Sequence, residues 1–471
     1  MRARIPFVGA AYEARSLNVD SQRAINCFLE LDNASPRAPI ALYGTPGTVL
    51  QFTLPTSPVR GCIADTTYSY WVAGNTVYRV DTSNTVTSLG TIGSSTGTVS
   101  MAFNGTEILL VDGISGWLIT AGVLAQITDV DFPNGVTRCT FQDGYFAVAG
   151  KSGSQQFWIN EVAYAGSGWN GLDFASAEGS PDNTVGVISD HRELWLFGSN
   201  SAEVWVNTGN SDFPFQRSGN TFIEHGCAAA ATVAKADNTV WWLGTDDRGS
   251  GIVWRADGYT PMRVSTHAIE KLLSNCTLSA ATAFTYQQEG HIFYVLNLPE
   301  ASVVYDAATQ QWHERAWMDP STGVLSRWRQ DCCVFFNNQH FVGDYESGKV
   351  CTLDLDINTD AGDAIKRLRS TISNENLQLR MFYEHLQVDM ETGIGNASGS
   401  DPQLMLRFSD DGGHTWSNLR TVSLGTVGQY NARAKFARLG SGRNRVFEVS
   451  MTDDAKFVVL GAVAEAQAGS A

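Results

Sequence analysis

Residues 99–120 read VSMAFNGTEILLVDGISGWLIT, and this stretch decides the fold. Its apolar runs are separated by Asn104-Gly105 and Asp112-Gly113, pairs that are typical of tight β-hairpin turns because they tolerate a positive φ. Similar units begin at Gly61, Val136, Val185, Ala230, Ala281 and Asp331. Their spacing of roughly 40 to 50 residues is typical of four-stranded propeller blades. The sequence therefore predicts an all-β fold with a six- or seven-bladed β-propeller.

The composition agrees with short strands joined by tight turns. Of the 471 residues, 43% are hydrophobic and only 17% are charged, and the chain has 45 Gly, 13 Trp and 23 Phe. Such a composition favours strands over long surface helices. The length exceeds that of a single core, so we expect a further module beside the propeller.

A change of pattern near residue 370 predicts a domain boundary. The polar stretch that starts at Asn358 gives way to a new set of alternating strands, typical of a β-sandwich. We therefore divide the chain into an N-terminal extended segment leading into the propeller (1–55), the propeller (56–368) and a C-terminal β-sandwich-like domain (369–471). One stretch, STHAIEKLLSN from Ser265, has apolar residues at helical spacing and predicts a short helix.

The formal charge of -16 excludes one class of function. A protein that binds nucleic acid non-specifically neutralises phosphates with Lys and Arg, and this chain has 32 of these residues against 48 Asp and Glu. An acidic wall would instead repel a duplex. We expect no export signal, since Glu13 interrupts the early apolar stretch, and no membrane insertion, since no run approaches the roughly 18 to 20 apolar residues of a membrane helix.

The eight cysteines and eight histidines form no recognisable metal or catalytic pattern. CxxC spacing is absent, so the cysteines are interpreted as small core hydrophobes. Glu224 with His225, His267 with Glu270, and Glu384 with His385 are possible acid–base pairs, but each is also an ordinary pair of surface neighbours. We predict no catalytic residue, no metal and no cofactor. The cysteines are Cys27, Cys62, Cys139, Cys227, Cys276, Cys332, Cys333 and Cys351.

The sharpest local motif is an Asp-box in the predicted sandwich. Residues 409–416, SDDGGHTW, fit the pattern S-x-D-x-G-x-T-W. In such a loop the aspartate accepts hydrogen bonds from turn amides, and glycine takes a conformation that other residues avoid. We predict a structural role for the fixed positions Ser409, Asp411, Gly413, Thr415 and Trp416.

A sialidase-like or other glycan-binding or glycan-cleaving propeller is the alternative. Arg4-Ile5-Pro6 is similar to the R-I-P element of sialidases, whose blades also carry Asp-boxes. Against this reading, the chain has one Asp-box, outside the repeated region, and no pattern identifies the further arginines, the tyrosine and the glutamate that this chemistry needs.

The whole chain resembles the packaged-DNA stabilisation proteins, also called tail hub or nozzle proteins, of short-tailed bacteriophages (podoviruses). The similarity is distributed in order along most of residues 18 to 465. The stretches that carry it are NVDSQRAINCFLELDNA (18–34), APIALYGTPGT (38–48), PDNTVGVISDHRELWLFGSNSAEVW (181–205), PMRVSTHAIEKLL (261–273) and VVYDAATQQWHE (303–314).

The resemblance implies a non-enzymatic structural protein of the virion tail, assembled in the host cytoplasm. Such proteins form a ring, usually of six copies, below the portal and adaptor (head-to-tail connector) proteins. The ring would extend the DNA channel, retain packaged double-stranded DNA without sequence-specific binding, and allow its ejection into the host. Its outer surfaces would meet tailspikes or tail fibres and a tail needle or plug. A propeller scaffold unrelated to phages is a third possibility.

Overall fold

The structure, a computed structural model, describes residues 2–31, 39–177, 179–219, 221–245, 251–376, 378–395 and 399–469. Antiparallel strands follow one another through almost all of these ranges. Many of the turns between them place a glycine at positive φ, for example Gly105 at 103° and Gly144 at 98°. The Asn-Gly and Asp-Gly pairs therefore do form the tight turns that the sequence predicts.

The first strands of the chain are distributed over several sheets. They are β1 (Arg2–Ile5), β2 (Tyr12–Glu13), β3 (Ser21–Gln22), β4 (Ala24–Ile25), β5 (Cys27–Leu31), β6 (Ile40–Gly44) and β7 (Gly47–Thr53). Strands β2 and β3 pair only with each other among the described residues.

Next along the chain come four sheets, each formed by four consecutive strands. The first contains β8 (Val59–Ala64), β9 (Ser69–Ala73), β10 (Thr76–Val80) and β11 (Val86–Thr91). The second contains β12 (Ser100–Phe103), β13 (Glu107–Val111), β14 (Gly116–Thr120) and β15 (Val123–Gln126). The third contains β16 (Arg138–Gln142), β17 (Tyr145–Ala149), β18 (Gln156–Val162) and β19 (Ala165–Ser176). The fourth contains β20 (Thr184–Asp190), β21 (Glu193–Gly198), β22 (Ala202–Asn207) and β23 (Phe215–Arg217).

Two further four-stranded units follow, with helical turns between them. A 3-10 turn (Ala230–Thr232) precedes the fifth sheet, β24 (Ala234–Ala236), β25 (Thr239–Thr245), β26 (Gly251–Asp257) and β27 (Thr260–Arg263). Helix α1 (His267–Leu273) and a 3-10 turn (Leu278–Ala280) lead to the sixth unit, β28 (Thr282–Gln288), β29 (His291–Asn297), β30 (Ser302–Asp306) and β31 (Gln311–Met318), beside which lies β32 (Leu325–Arg327).

The predicted helix is present and begins two residues later than the quoted stretch. Thr266 caps it, because its side chain accepts a hydrogen bond from the backbone N–H of Ile269. Ile269 and Leu273 are buried against the propeller, so the helical spacing of apolar residues did mark the packed face.

The seventh sheet closes the propeller with a strand from the beginning of the chain. It contains β33 (Gln330–Phe336), β34 (Gln339–Asp344) and β35 (Lys349–Asp354), and β35 pairs with β7 over Thr53↔Lys349 to Gly47↔Asp354. Strands β36 (Thr359–Asp360) and β37 (Asp363–Ala364) extend it. The first strands of most successive sheets lie next to one another, the 3-10 turn Ala230–Thr232 contacts both β20 and β28, and β33 returns to β8. The sheets therefore form a closed ring.

The C-terminal part is a two-layered sandwich that also takes up N-terminal strands. Its strands are β38 (Arg367–Ser370), β39 (Met381–Met390), β40 (Gln403–Ser409), β41 (Arg420–Ser423), β42 (Ala434–Gly442), β43 (Val446–Met451) and β44 (Val458–Ala468). One layer has the order β42-β39-β44-β6-β5, with β1 also on β44. The other layer runs β4-β38-β43-β40-β41 and is continuous with the sixth propeller sheet through β31.

The layers of the sandwich enclose an apolar core. Leu386, Leu406, Phe436, Phe447 and Val459 are fully or almost fully buried there. Separate apolar clusters lie between successive propeller sheets. In the cluster at the closure, Phe52 of β7 contacts Trp71 and Phe341 with ring centroids 6.1 and 6.2 Å apart.

The closure should depend on this aromatic contact. We expect Phe52→Ala to lower the free energy of unfolding by about 3 kcal/mol, because it removes a buried ring and leaves a cavity. Calorimetry of the purified variant measures this loss. Leu50→Ala on the same strand is the matched control, since Leu50 is 44% exposed. Equal stability of the two variants would contradict the role of the contact.

Candidate functional site

The Asp-box forms a compact hydrogen-bonded loop after β40. Asp411 accepts hydrogen bonds from the backbone N–H of Thr415 at 2.8 Å and from Thr415 Oγ1 at 2.6 Å. Ser409 Oγ donates to Asp411 Oδ1 at 2.6 Å and accepts from the N–H of Gly413 at 2.8 Å. These bonds hold the pKa of the Asp411 carboxyl well below its ordinary value, since they stabilise its charged form.

The remaining residues of the box fix the loop to its surroundings. Trp416 lies under the guanidinium of Arg407, 4.4 Å from the ring centroid. Gly412 has φ of 76°, and a Cβ at this position would come within 2.0 Å of Asn18 Oδ1. The loop therefore packs against the N-terminal segment, and glycine is required at 412 for both conformation and space.

A channel runs through the centre of the propeller. Its volume is about 450 Å³, and residues from the first strands of the propeller sheets line it, among them Cys62, Ser100, Thr140, Val187, Thr282 and Cys332. A volume of this order suits a small molecule. A DNA duplex is far too wide to enter such a space.

Two arginines at this channel support loops. Arg60 donates to the carbonyls of Gly74 at 2.7 Å, Ser94 at 2.9 Å and Thr96 at 2.6 Å, and burial lowers its pKa. Arg138 donates to Thr98 Oγ1 at 3.0 Å, and burial lowers its pKa to about 10. The arginines thus order neighbouring turns.

The possible acid–base pairs have other partners, although His267 and Glu270 lie close together. His225 stacks on Trp254, with centroids 4.1 Å apart. His385 Nε2 lies 3.4 Å from Glu465 rather than near its neighbour in sequence. His267 Nδ1 is 3.6 Å from Glu270, whose carboxylate also accepts from Arg263 and Ser265.

Arg4, the residue of the R-I-P element, is exposed on β1 of the sandwich, remote in the fold from the propeller channel.

The eight cysteines are free thiols. Burial raises the pKa of Cys27 and Cys139 to about 12, and a thiol with so high a pKa is unreactive. The described residues contain no group of three or more His, Cys, Asp or Glu that could hold a metal ion. Nor do they include a helix with the length and apolarity needed for a membrane crossing.

Sequence reasoning missed a charged junction between the sandwich and the propeller. His291 of β29 is almost completely buried, with Nδ1 2.8 Å from Asp306 and Nε2 2.9 Å from Glu30 of β5. The hydrogen bond to Asp306, assisted by Glu30, raises the pKa of His291 to about 9 against the effect of burial. No motif marks this residue, because its two partners lie far apart along the chain.

Buried arginines reinforce the same junction. Arg369 of β38 donates to the carbonyl of Phe7 at 2.7 Å and to Gln22 Oε1 at 2.7 Å, which ties the N-terminal segment to the sandwich. Arg367 packs against Gly44, where a Cβ would lie 2.3 Å from its Nε. The Arg-Leu-Arg sequence of β38 was a visible signal, since charged residues rarely occupy a buried strand.

Comparison with models of protein families gives two matches that follow one another along the chain. The model described as "Bacteriophage P22 Gp10, beta-propeller" matches residues 5–358. The model described as "Bacteriophage P22 Gp10, beta-sandwich" matches residues 367–467. No curated protein matches the sequence.

Similar solved structures are related only distantly. The N-terminal domain of Nup159 has 8% identity and a TM-score of 0.41, covering 71% of this chain and 99% of that one. The WD40 β-propeller domain of Doa1 has 11% identity and a TM-score of 0.41, covering 66% and 96%. The extracellular domain of a putative one component system from B. thetaiotaomicron has 9% identity and a TM-score of 0.44, covering 80% and 48%. Scores this low support no argument about function.

Removing the central carboxylate should loosen the Asp-box. In Asp411→Ala, we expect faster amide hydrogen exchange in a peptide spanning residues 409–416, because the Thr415 amide loses its acceptor. His414→Ala, at an exposed variable position of the box, should exchange like the wild type. Because folding lowers the pKa of Asp411, the stability that its charged carboxylate contributes is fully present above pH 3.8, the ordinary pKa. This stability is lost only as the pH falls through the lower pKa of the folded state.

The His291 junction should make stability depend on pH. Because folding raises its pKa from 6.5 to about 9, stabilisation by the charged imidazole is complete below pH 6.5 and is lost as the pH rises through 9. Relative to His291→Gln, the wild type should be more stable by on the order of 1–3 kcal/mol at pH 6, and by much less at pH 10. Thermal unfolding across this range tests the difference. His414→Gln, at an exposed variable position of the Asp-box, is the control; a similar pH trend there would contradict the assignment.

Proposed function

The chain belongs to the bacteriophage P22 Gp10 family, the tail nozzle or DNA stabilisation proteins of podoviruses, and on this premise we propose that it forms a ring below the portal and adaptor. The protein is thus a structural component of a phage tail. In our proposal the ring extends the DNA channel, retains the packaged genome and releases it into the host. The observation that carries this proposal is the consecutive match of both family domains over residues 5–358 and 367–467.

The connectivity suits a component that bears load. The seventh sheet is closed by β7, and the sixth is continuous with one layer of the sandwich. Paired strands across these joints leave little freedom for one domain to move against the other. A ring built from such bodies would deform little under the pressure of packaged DNA.

The conduit for DNA would lie between copies. Because the channel of each propeller holds only about 450 Å³, a duplex cannot thread through one subunit. A ring of several copies around a shared axis provides the wider opening. We propose that double-stranded DNA passes along this axis without sequence-specific binding.

The negative charge of the chain lies before residue 367, which supports an acidic wall formed by the propeller but not by the sandwich. Residues 367–467 contain 11 Lys and Arg and 11 Asp and Glu, so the whole formal charge of -16 belongs to residues 1–366. If the propeller faces the duplex, repulsion would limit sticking during ejection.

Further parts of the proposal follow from the family. We propose that the protein has no enzymatic activity, that the fixed residues of the Asp-box are structural, and that the chain divides functionally at residues 55 and 368. Portal, adaptor, tailspike or fibre, and needle or plug proteins would be its partners, with assembly in the host cytoplasm before release of the virion.

Mass photometry tests the proposal directly. The purified protein, alone and mixed with the portal and adaptor proteins of the same phage, should give a ring of about six copies that joins the portal complex. A monomer that persists at all concentrations and ignores both partners would contradict the nozzle assignment.

A further inference from the structure

One edge of the sandwich concentrates positive charge in an acidic protein. Residues 412–447 contain six Arg and Lys and neither Asp nor Glu. Strands β41 and β42 meet there at the ends of the two layers, and Arg420 joins them by donating to the carbonyls of Ala437 and Arg438, both at 2.9 Å. We define the basic edge as the exposed residues Leu419, Arg420, Tyr430, Arg433, Lys435 and Arg438.

A β-bulge adds to the charge on this edge. The register between β39 and β42 shifts between Tyr383 and His385, and Arg438 has φ of 57°. The extra residue lets Ala437 and Arg438 both face solvent while Leu439 stays buried. The strand therefore presents an additional cation without interrupting the core, at a backbone conformation that arginine seldom adopts.

The cations of the edge differ in their partners from the other arginines of the sandwich. Arg407 and Arg445 of the sandwich pair with Glu448 and Asp410. For Arg433, Lys435 and Arg438, by contrast, the described residues provide no ion pair. Tyr430, 69% exposed, adds apolar surface beside them.

The third propeller sheet has the opposite character. Residues 152–191 contain neither Lys nor Arg. Its last strand, β19, is 12 residues long and has no partner on its outer side among the described residues. Long exposed strand edges promote association unless something covers them.

Carboxylates and apolar side chains lie together on this strand. The loop before the sheet packs against β19, since the N–H of Trp169 donates to Asp129 at 3.0 Å. Asp131 of this loop lies close to Gly171, where a Cβ would be 3.0 Å from its Oδ1. The neighbouring residues Val130 and Leu172 are 93% and 80% exposed. We define the acidic face as Asp129, Val130, Asp131, Glu161, Leu172 and Asp173.

Among the described residues, no cation forms an ion pair with the carboxylates of the acidic face. The pKa of Asp173 is raised by burial and by the neighbouring charge of Glu161. A cation brought against this pair would relieve that repulsion.

The acidic face and the basic edge belong to different parts of the fold. The sandwich is joined to the sixth propeller sheet, whereas the acidic face belongs to the third, so three steps around the ring of sheets separate them. A closed ring of identical subunits requires two different, complementary surfaces that point away from each other.

We propose that the basic edge of one copy docks on the acidic face of the next copy, and that this head-to-tail contact closes the ring. The inference rests on the proposed function and names the surfaces that would perform it. Duplex DNA is a less suitable occupant, because phosphate contacts make no use of the exposed Leu419 and Tyr430, whereas a protein interface combines apolar centres with charged rims.

Charge exchange between the surfaces tests the contact. The basic-edge variant is Arg433→Glu with Lys435→Glu, the acidic-face variant is Glu161→Lys with Asp173→Lys, and a third protein carries all four changes. Each two-residue variant should reduce the ring population at least about tenfold, because like charges would then face each other. The four-residue variant should recover it. Arg4→Glu with Arg15→Glu, two exposed arginines outside the basic edge, is the matched control and should assemble normally.

Mass photometry with portal and adaptor present, together with thermal unfolding of each variant, separates the outcomes. Rings that form equally well in the wild type and in both two-residue variants would overturn the contact while leaving the nozzle assignment intact. Loss of assembly that the four-residue variant fails to restore, with unfolding temperatures unchanged, would also overturn it. Duplex binding that disappears in the basic-edge variant while rings persist would assign the edge to DNA instead. A wild type that never assembles would overturn the proposed function and this inference together.

Discussion

The pairing of β7 with β35 is the constraint on which the rest of the structure depends. Without it the seventh propeller sheet would lack its last strand, and the cluster around Phe52, Trp71 and Phe341 would open to water. The same N-terminal segment supplies β1, β5 and β6 to the sandwich. One closing strand and its neighbours therefore fix the propeller and the sandwich relative to each other.

Polar groups at the junction of the domains complement this pairing. His291 links a propeller strand to Glu30 of the sandwich, and Arg369 holds the carbonyls of Phe7 and Ala10. Removing one partner of a buried charge is strongly destabilising. The junction is accordingly well suited to a single arrangement of the two domains, which is the property required of a subunit in a rigid ring.

Local features of the fold could be predicted from the sequence because their causes are local. Turn pairs such as Asn104-Gly105 set the hairpins, Thr266 capped the helix, and the spacing of the Asp-box specified its hydrogen bonds. The division of residues 1–55 among several sheets could not be predicted, since it depends on partners hundreds of residues away. The same holds for His291, whose partners Glu30 and Asp306 become neighbours only after folding. The basic edge was visible in the sequence as a run without Asp or Glu, but the meeting of β41 with β42 required the structure.

Because synthesis starts at the N-terminus, the N-terminal strands are made long before the strands with which they pair. β7 emerges from the ribosome about 300 residues before its partner β35, and still more residues separate β1 from its partner β44. At roughly 5–20 residues per second, the early strands remain without their final partners for about 15–60 s or more. A nascent chain that stops before residue 349 would hold an open propeller with an unpaired edge. Only chains translated through residue 465 can pair β1 fully with β44 and complete the sandwich. Translation itself thus selects which polypeptides can enter an assembling tail.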